Sequence, residues 1–168
     1  MTGPNDSDLK TTPSHRMRRG ILVGGAATLA SGLLAGAQWF NIAGEIAEGD
    51  LSAPDAAQAA AAGDVILIDI RRPDEWARTG IGIDAVPIDM RVADFTDRLL
   101  EVTQGRTDFP VALICARGVR SAKLALQLEA AGFSKVIDVP EGMLGSGAGP
   151  GWIKRGLPVN RDVPFAEG

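Results

Sequence analysis

The chain of 168 residues holds one cysteine, Cys115, in the stretch LICARGVRSAKLALQL, and two arginines, Arg117 and Arg120, follow it within five positions. A single cysteine makes no internal disulfide and builds no Cys-rich zinc or iron–sulfur centre. The lone histidine, His15, lies in a polar N-terminal stretch outside any predicted core, so a Cys–His or Ser–His hydrolase would lack its base. The sequence therefore predicts no metal and no cofactor. Two readings of Cys115 remain: a thiolate nucleophile activated by its surroundings, or a small buried hydrophobe.

The elements around the cysteine favour the first. VALIC, residues 111–115, reads as a strand buried on both faces, with Cys115 last. Ser121, Leu124, Ala125, Leu128 and Ala131 then share one helical face, with Gly132 as the stop. ARGVRS must turn from strand to helix in a few residues, and Gly118 permits a tight backbone there. The amides of Ala116, Arg117, Gly118, Val119, Arg120 and Ser121 are then free to point back at the sulfur, and unpaired amides at a helix N-terminus favour an anion. Arg117 or Arg120 adds positive charge, so the thiol is expected to ionise more readily than usual.

Strand and helix alternate along the rest of the chain. EGDLSAPDAAQAAAAGD reads as a short helix with Ser52 as N-cap and Gly63 as stop. VILIDI, AVPI and KVIDV read as strands, Pro73 opens a helical turn through Trp76, and Val92, Phe95, Leu99 and Val102 recur at helical spacing. The predicted fold class is α/β: an open parallel sheet with helices on both faces. Such sheets bind ligands at the carboxyl ends of their strands, where Cys115 sits. EGMLGSGAGPGW fits neither a phosphate loop nor a dinucleotide fingerprint and is expected to be a surface loop with tight turns.

The length suits one domain with a remainder, and 45% apolar residues suit an ordinary core. A net charge of −4 argues against a nucleic-acid partner. Residues 1–19 are polar and end in basic side chains, and residues 20–44 carry no charge. As a helix those 25 residues would span roughly 37 Å, enough for a bilayer core of about 30 Å. Arg18 and Arg19 before Gly20-Ile21-Leu22 resemble a twin-arginine export signal, with Met17 where a polar residue is usual. Basic residues ahead of the apolar run place the downstream chain on the periplasmic side of a bacterial inner membrane. AGA at Ala35–Ala37 suits signal-peptidase cleavage and release, whereas Trp39 and Phe40 suit a retained anchor. Residues 45–51 then form a linker and 161–168 a tail.

VILIDIRRPDEW, PVALICARGVRSAKLALQLEAAGFSKVIDVPEGMLG and GWIKRGLPV closely resemble a single-domain rhodanese over residues 52–160. The most specific element is C-x-x-G-x-R, from Cys115 to Arg120; Asp69 to Arg71, Glu75 and Gly156 to Val159 support it. The resemblance implies a sulfurtransferase in which Cys115 takes sulfane sulfur from an anionic donor, thiosulfate or polysulfide, and yields it to a thiol or cyanide acceptor. A protein sulfur partner fits the same chemistry. It further implies that the amides of Ala116 to Ser121 cradle a persulfide and that Arg120 closes the loop or binds the donor. Asp69 and Arg71 read as structural partners that brace the loop. TGIGIDAVPI departs from the family's G-H-I-P-G-A, which bears on the local loop rather than on the sulfur.

Two other functions compete. A cysteine phosphatase has five residues between Cys and Arg, and this loop has four. A non-catalytic sulfur-binding or interaction module at the membrane is the remaining alternative.

Overall fold

Four consecutive apolar residues, Val111–Ile114, suit a strand covered on both sides, and the computed structural model places them at the centre of a sheet. It describes residues 44–162. The order of elements is α1 (Ala53–Ala62), β1 (Ile66–Asp69), α2 (Pro73–Thr79), β2 (Ile81–Gly82), β3 (Ala85–Pro87), α3 (Phe95–Val102), β4 (Val111–Ile114), α4 (Val119–Ala130), β5 (Val136–Asp138), α5 (Gly151–Lys154) and β6 (Val159–Asn160). Four strands pair in the order β3-β1-β4-β5, all parallel, with Asp69 opposite Ile114 and Leu113 opposite Asp138. This is the α/β architecture expected from the alternation of patterns.

Period-two alternation sends successive side chains to opposite faces. Val111, Leu113 and Cys115 pack with Phe95 and Leu99 of α3 and with Leu124, Ala125 and Leu128 of α4. Ala112 and Ile114 pack on the other side with Ala53 and Ala56 of α1, Val139, Met143 and Trp152. Each buried Leu or Ile contributes about 1.5–3 kcal/mol, so the two layers together fix the strand that ends in the cysteine.

Local chemistry sets the helix ends. The Ser52 hydroxyl accepts the Asp55 amide at 3.3 Å, and Gly63, at φ 77°, ends α1 as expected. The helix expected around Val92 begins only at Phe95, because Asp89 holds Arg91 through its amide and guanidinium in a preceding turn. Ala131, expected on the inner face of α4, is exposed just beyond the last helical residue. The short antiparallel pair of β2 and β6 has no counterpart in the sequence pattern; two residues per strand leave no periodic signal.

The glycine-rich segment is not a surface loop throughout. Glu141, Gly142, Met143, Gly145 and Gly151 are buried. Met143 donates its amide to the Cys115 carbonyl and Leu144 to the Ala116 carbonyl, both at 2.9 Å. The fully buried Glu141 carboxylate accepts the amides of Ala53 and Gly151, at 3.2 and 3.0 Å, and the Arg155 guanidinium at 2.7 and 2.9 Å. Partners far away in sequence thus satisfy the backbone of a segment whose composition looks solvent-exposed.

The expected signal or anchor, residues 20–44, and the basic stretch before it lie outside the described residues, apart from Gly44. Among the described residues no helix is long and apolar enough to cross a membrane.

Candidate functional site

Cys115 directly follows β4 and is 1% exposed. The chain then turns through Gly118, the N-cap of α4, whose φ of 83° belongs to the left-handed region that a side chain disfavours. That turn aims the Gly118 amide at the sulfur, 3.1 Å from Sγ. The Ser121 hydroxyl lies 3.5 Å from Sγ and 3.0 Å from the Gly118 carbonyl. The sulfur therefore sits at a helix N-terminus with an amide and a hydroxyl directed at it, an arrangement that stabilises negative charge. Of the expected amide cradle, Gly118 is the member whose contact with Sγ is formed.

The remaining loop residues divide between wall and mouth. Ala116 and Arg117 pass against Gly142, at φ 64°, where a Cβ would come within 2.6 Å of the Ala116 carbonyl oxygen. Only glycine allows that approach. Arg117 donates to the Gly145 carbonyl at 3.1 Å and, with Leu144, Ser146 and Lys154, lines an open cavity of about 720 Å³. Val119 is exposed, at 42%.

Arg120 is committed to the protein itself. Its two Nη atoms donate to the two Glu75 oxygens at 2.8 and 2.7 Å, a bidentate pair that ties the first turn of α4 to α2. Of the two roles expected for Arg120, this geometry supplies loop closure. Burial pushes the Glu75 carboxyl up, but the Arg120 hydrogen bonds, the Arg72 amide and the charges of Arg120 and Arg71 outweigh it and hold it at about 2.

A folded-state value below the ordinary 4.5 means that this carboxylate adds stability that is complete above pH 4.5 and is lost as pH falls toward 2. Acid denaturation of Glu75→Gln should accordingly lack the part of the wild-type loss in that window. A variant with the wild-type acid profile would show that the pair contributes nothing.

Asp69 and Arg71 support the loop indirectly. Arg71, 1% exposed, donates to both Asp69 oxygens through Nε and Nη2 at 2.7–3.0 Å, and to the Thr79 hydroxyl at 2.8 Å and the Gly80 carbonyl at 2.8 Å. The pair fixes both ends of α2, and α2 carries the Glu75 that holds Arg120. Sequence reasoning gave Glu75 only a supporting match and missed Glu141. Its isolation as an acid within a glycine-rich stretch was the available signal.

The rhodanese-like domain model matches residues 52–146. Among solved structures, the polysulfide-sulfur transferase homodimer from Wolinella succinogenes is 25% identical with a TM-score of 0.52, covering 80% of this chain and 88% of that one. A protein from Anabaena sp., at 17% identity and a TM-score of 0.50 over 66% of this chain and 79% of that one, shares the fold. A rhodanese-related protein from Thermoplasma volcanium aligns at 24% identity and a TM-score of 0.48, covering 67% and 98%. No curated protein matches the chain. The match spans the sheet, both helices that frame the sulfur and the whole Cys115 loop, and on it the chain belongs to the rhodanese-like domain family.

Proposed function

We propose that the protein is a sulfurtransferase that carries sulfane sulfur as a Cys115 persulfide. The observation that carries this reading is the sulfur itself, at the N-terminus of α4 with the Gly118 amide 3.1 Å away. In the loading step Sγ attacks the sulfane sulfur of thiosulfate, the sulfane–sulfonate bond breaks, and sulfite leaves with the bonding pair. In the unloading step a thiol or cyanide attacks the outer sulfur and Sγ regains its pair. The amide and the positive end of the helix act on the negative charge that Sγ or its persulfide bears in both steps. Because Arg120 is taken up by Glu75, the cations that best suit an incoming anion are Arg117 and Lys154, both at the open cavity. Thiosulfate and polysulfide both fit them. A protein thiol or persulfide is a further partner consistent with that opening.

The name of the Wolinella protein supports sulfur transfer in a relative and identifies no donor for this chain. The four-residue spacing between Cys115 and Arg120 disfavours phosphate. A non-catalytic module would leave the directed amide and hydroxyl without a purpose. On sequence alone we place the domain on the periplasmic side of a bacterial inner membrane, anchored by residues 20–44 or released from them.

Thiocyanate formation from cyanide, with thiosulfate or polysulfide as donor, tests the activity in the full-length chain. Saturable turnover with either donor is expected. Turnover with neither would leave the binding module as the better account.

A further inference from the structure

The open cavity beside the Cys115 loop has features that a small inorganic anion leaves unused. Its wall carries two cations, Arg117 and Lys154, and no acid among the described residues. Most arginines of the domain pair with a carboxylate, whereas Lys154, exposed on α5, has neither an ion pair nor a side-chain hydrogen bond among the described residues. Two cations lining one cavity call for negative charge on its occupant.

Volume and composition say what else the occupant is. Thiosulfate has five heavy atoms, and at roughly 30 Å³ each, the share of a water molecule in the liquid, it takes up roughly 150 Å³. The cavity offers about 720 Å³. Leu144, 44% exposed, and Pro150 give the wall an apolar side that such an anion leaves bare. The Ser146 hydroxyl is already engaged, donating to the Pro140 carbonyl at 2.7 Å and accepting the Ala148 amide at 3.1 Å. The charge asks for an anion and the apolar side for a carbon skeleton, the usual mixture of a small-molecule site.

The wall is built in advance. A Cβ at Gly145 would come within 2.6 Å of the Pro150 carbonyl oxygen, and one at Gly151 would run into the Gly145 amide nitrogen. The buried Glu141 carboxylate accepts the Gly151 amide and the Arg155 guanidinium, which fixes α5 and with it Lys154. Arg117 is tied to the same wall through the Gly145 carbonyl, at 3.1 Å.

We propose, resting on the sulfurtransferase reading, that this cavity holds the sulfur acceptor, an organic thiol that carries carboxylate, and that Lys154 selects it.

The bound thiol attacks the outer sulfur of the Cys115 persulfide. The new S–S bond forms as the old one breaks, and Sγ keeps the bonding pair and receives the thiol proton. Thiol and Cys115 persulfide anion thus become an organic persulfide anion and the Cys115 thiol, with no oxidant or reductant needed. Met143 and Leu144 donate their amides to the Cys115 and Ala116 carbonyls at 2.9 Å, so the wall that meets the carbon skeleton is joined to the residue that carries the sulfur. Cys115 is 1% exposed, and an acceptor held beside its loop has the advantage over one arriving from bulk solvent.

The test loads the full-length chain with thiosulfate or polysulfide, removes the donor, and follows sulfur loss from Cys115 by intact mass. The probes are 2-mercaptoethanol, 3-mercaptopropionate and mercaptosuccinate, with no, one and two carboxylates. Each rate is divided by that probe's rate with the neutral bis(2-hydroxyethyl) disulfide, which removes differences in thiol reactivity. In wild type the normalised rate should rise with each carboxylate, to at least about fivefold for mercaptosuccinate over 2-mercaptoethanol, and the preference should shrink in about 0.5 M salt. Lys154→Gln should remove most of that ratio and Lys154→Glu should invert it. Lys135→Gln, the same change of charge at the entry to β5 and outside the cavity, should leave it intact.

Wild-type rates that ignore carboxylate number overturn the acceptor site, as does a Lys154→Gln variant that keeps the ratio or slows all three thiols alike. An equal drop with Lys135→Gln does so too, by assigning the preference to net charge. A chain that takes up no sulfur sinks the sulfurtransferase reading itself, whereas a loaded chain without the preference leaves that reading standing.

Discussion

Cys115→Ser is expected to abolish sulfur transfer, lowering thiocyanate formation by at least about a thousandfold while the protein remains folded. The serine hydroxyl nearly matches the thiol in shape, so the packing around position 115 between Leu113, Leu124 and Leu128 is kept. What it loses is the chemistry. An aliphatic hydroxyl does not ionise beside one amide and one helix end, and an oxygen bonded to sulfane sulfur is not a persulfide. The Gly118 amide at 3.1 Å then faces a neutral acceptor with no reactive pair to present. Assay of turnover with a thermal melt distinguishes this from unfolding: activity below detection with a melting temperature within a few degrees of wild type is the expected pair of results. Residual turnover above a few per cent would place the sulfur carrier elsewhere or remove covalent catalysis from the account.

Arg71→Met should have the largest effect on stability, a loss of about 3–5 kcal/mol, because it strands a buried carboxylate. Asp69 is 0% exposed and directs both oxygens at Arg71. Removing the guanidinium also deprives the Gly80 carbonyl and the Thr79 hydroxyl of a donor. A domain of this size has about 5–15 kcal/mol in total, so the variant should lie near the edge of folding. Urea unfolding of Asp69→Leu/Arg71→Met should recover a large part of the loss, since replacing both charges leaves no orphaned ion. A single variant as stable as wild type would mean that water reaches Asp69. The link from Arg71 through α2 to Glu75 and Arg120 also predicts that partly folded Arg71→Met loses sulfur loading before it loses its sheet.

The frame of this fold was legible because it rests on local pattern. Residues 65–68 and Val111–Ile114 announce buried strands by continuous apolar character, and Ser52 and Gly63 mark their helix by type alone. The position of Cys115 at a strand end came from the same pattern, and with it the expectation of a helix N-terminus beside the sulfur. The features that could not be read depend on residues distant in sequence. Arg120 offered a guanidinium to either a donor or the protein, and Glu75, 45 positions earlier, decides between them. Glu141 looks like a loop acid until Ala53, Gly151 and Arg155 converge on it.

The central claim is that Cys115 carries sulfur covalently, and intact mass of the full-length chain before and after thiosulfate or polysulfide tests it most directly. The account predicts a gain of one sulfur atom that is confined to Cys115, removed by cyanide and absent from Cys115→Ala. A wild-type mass unchanged by both donors would contradict it.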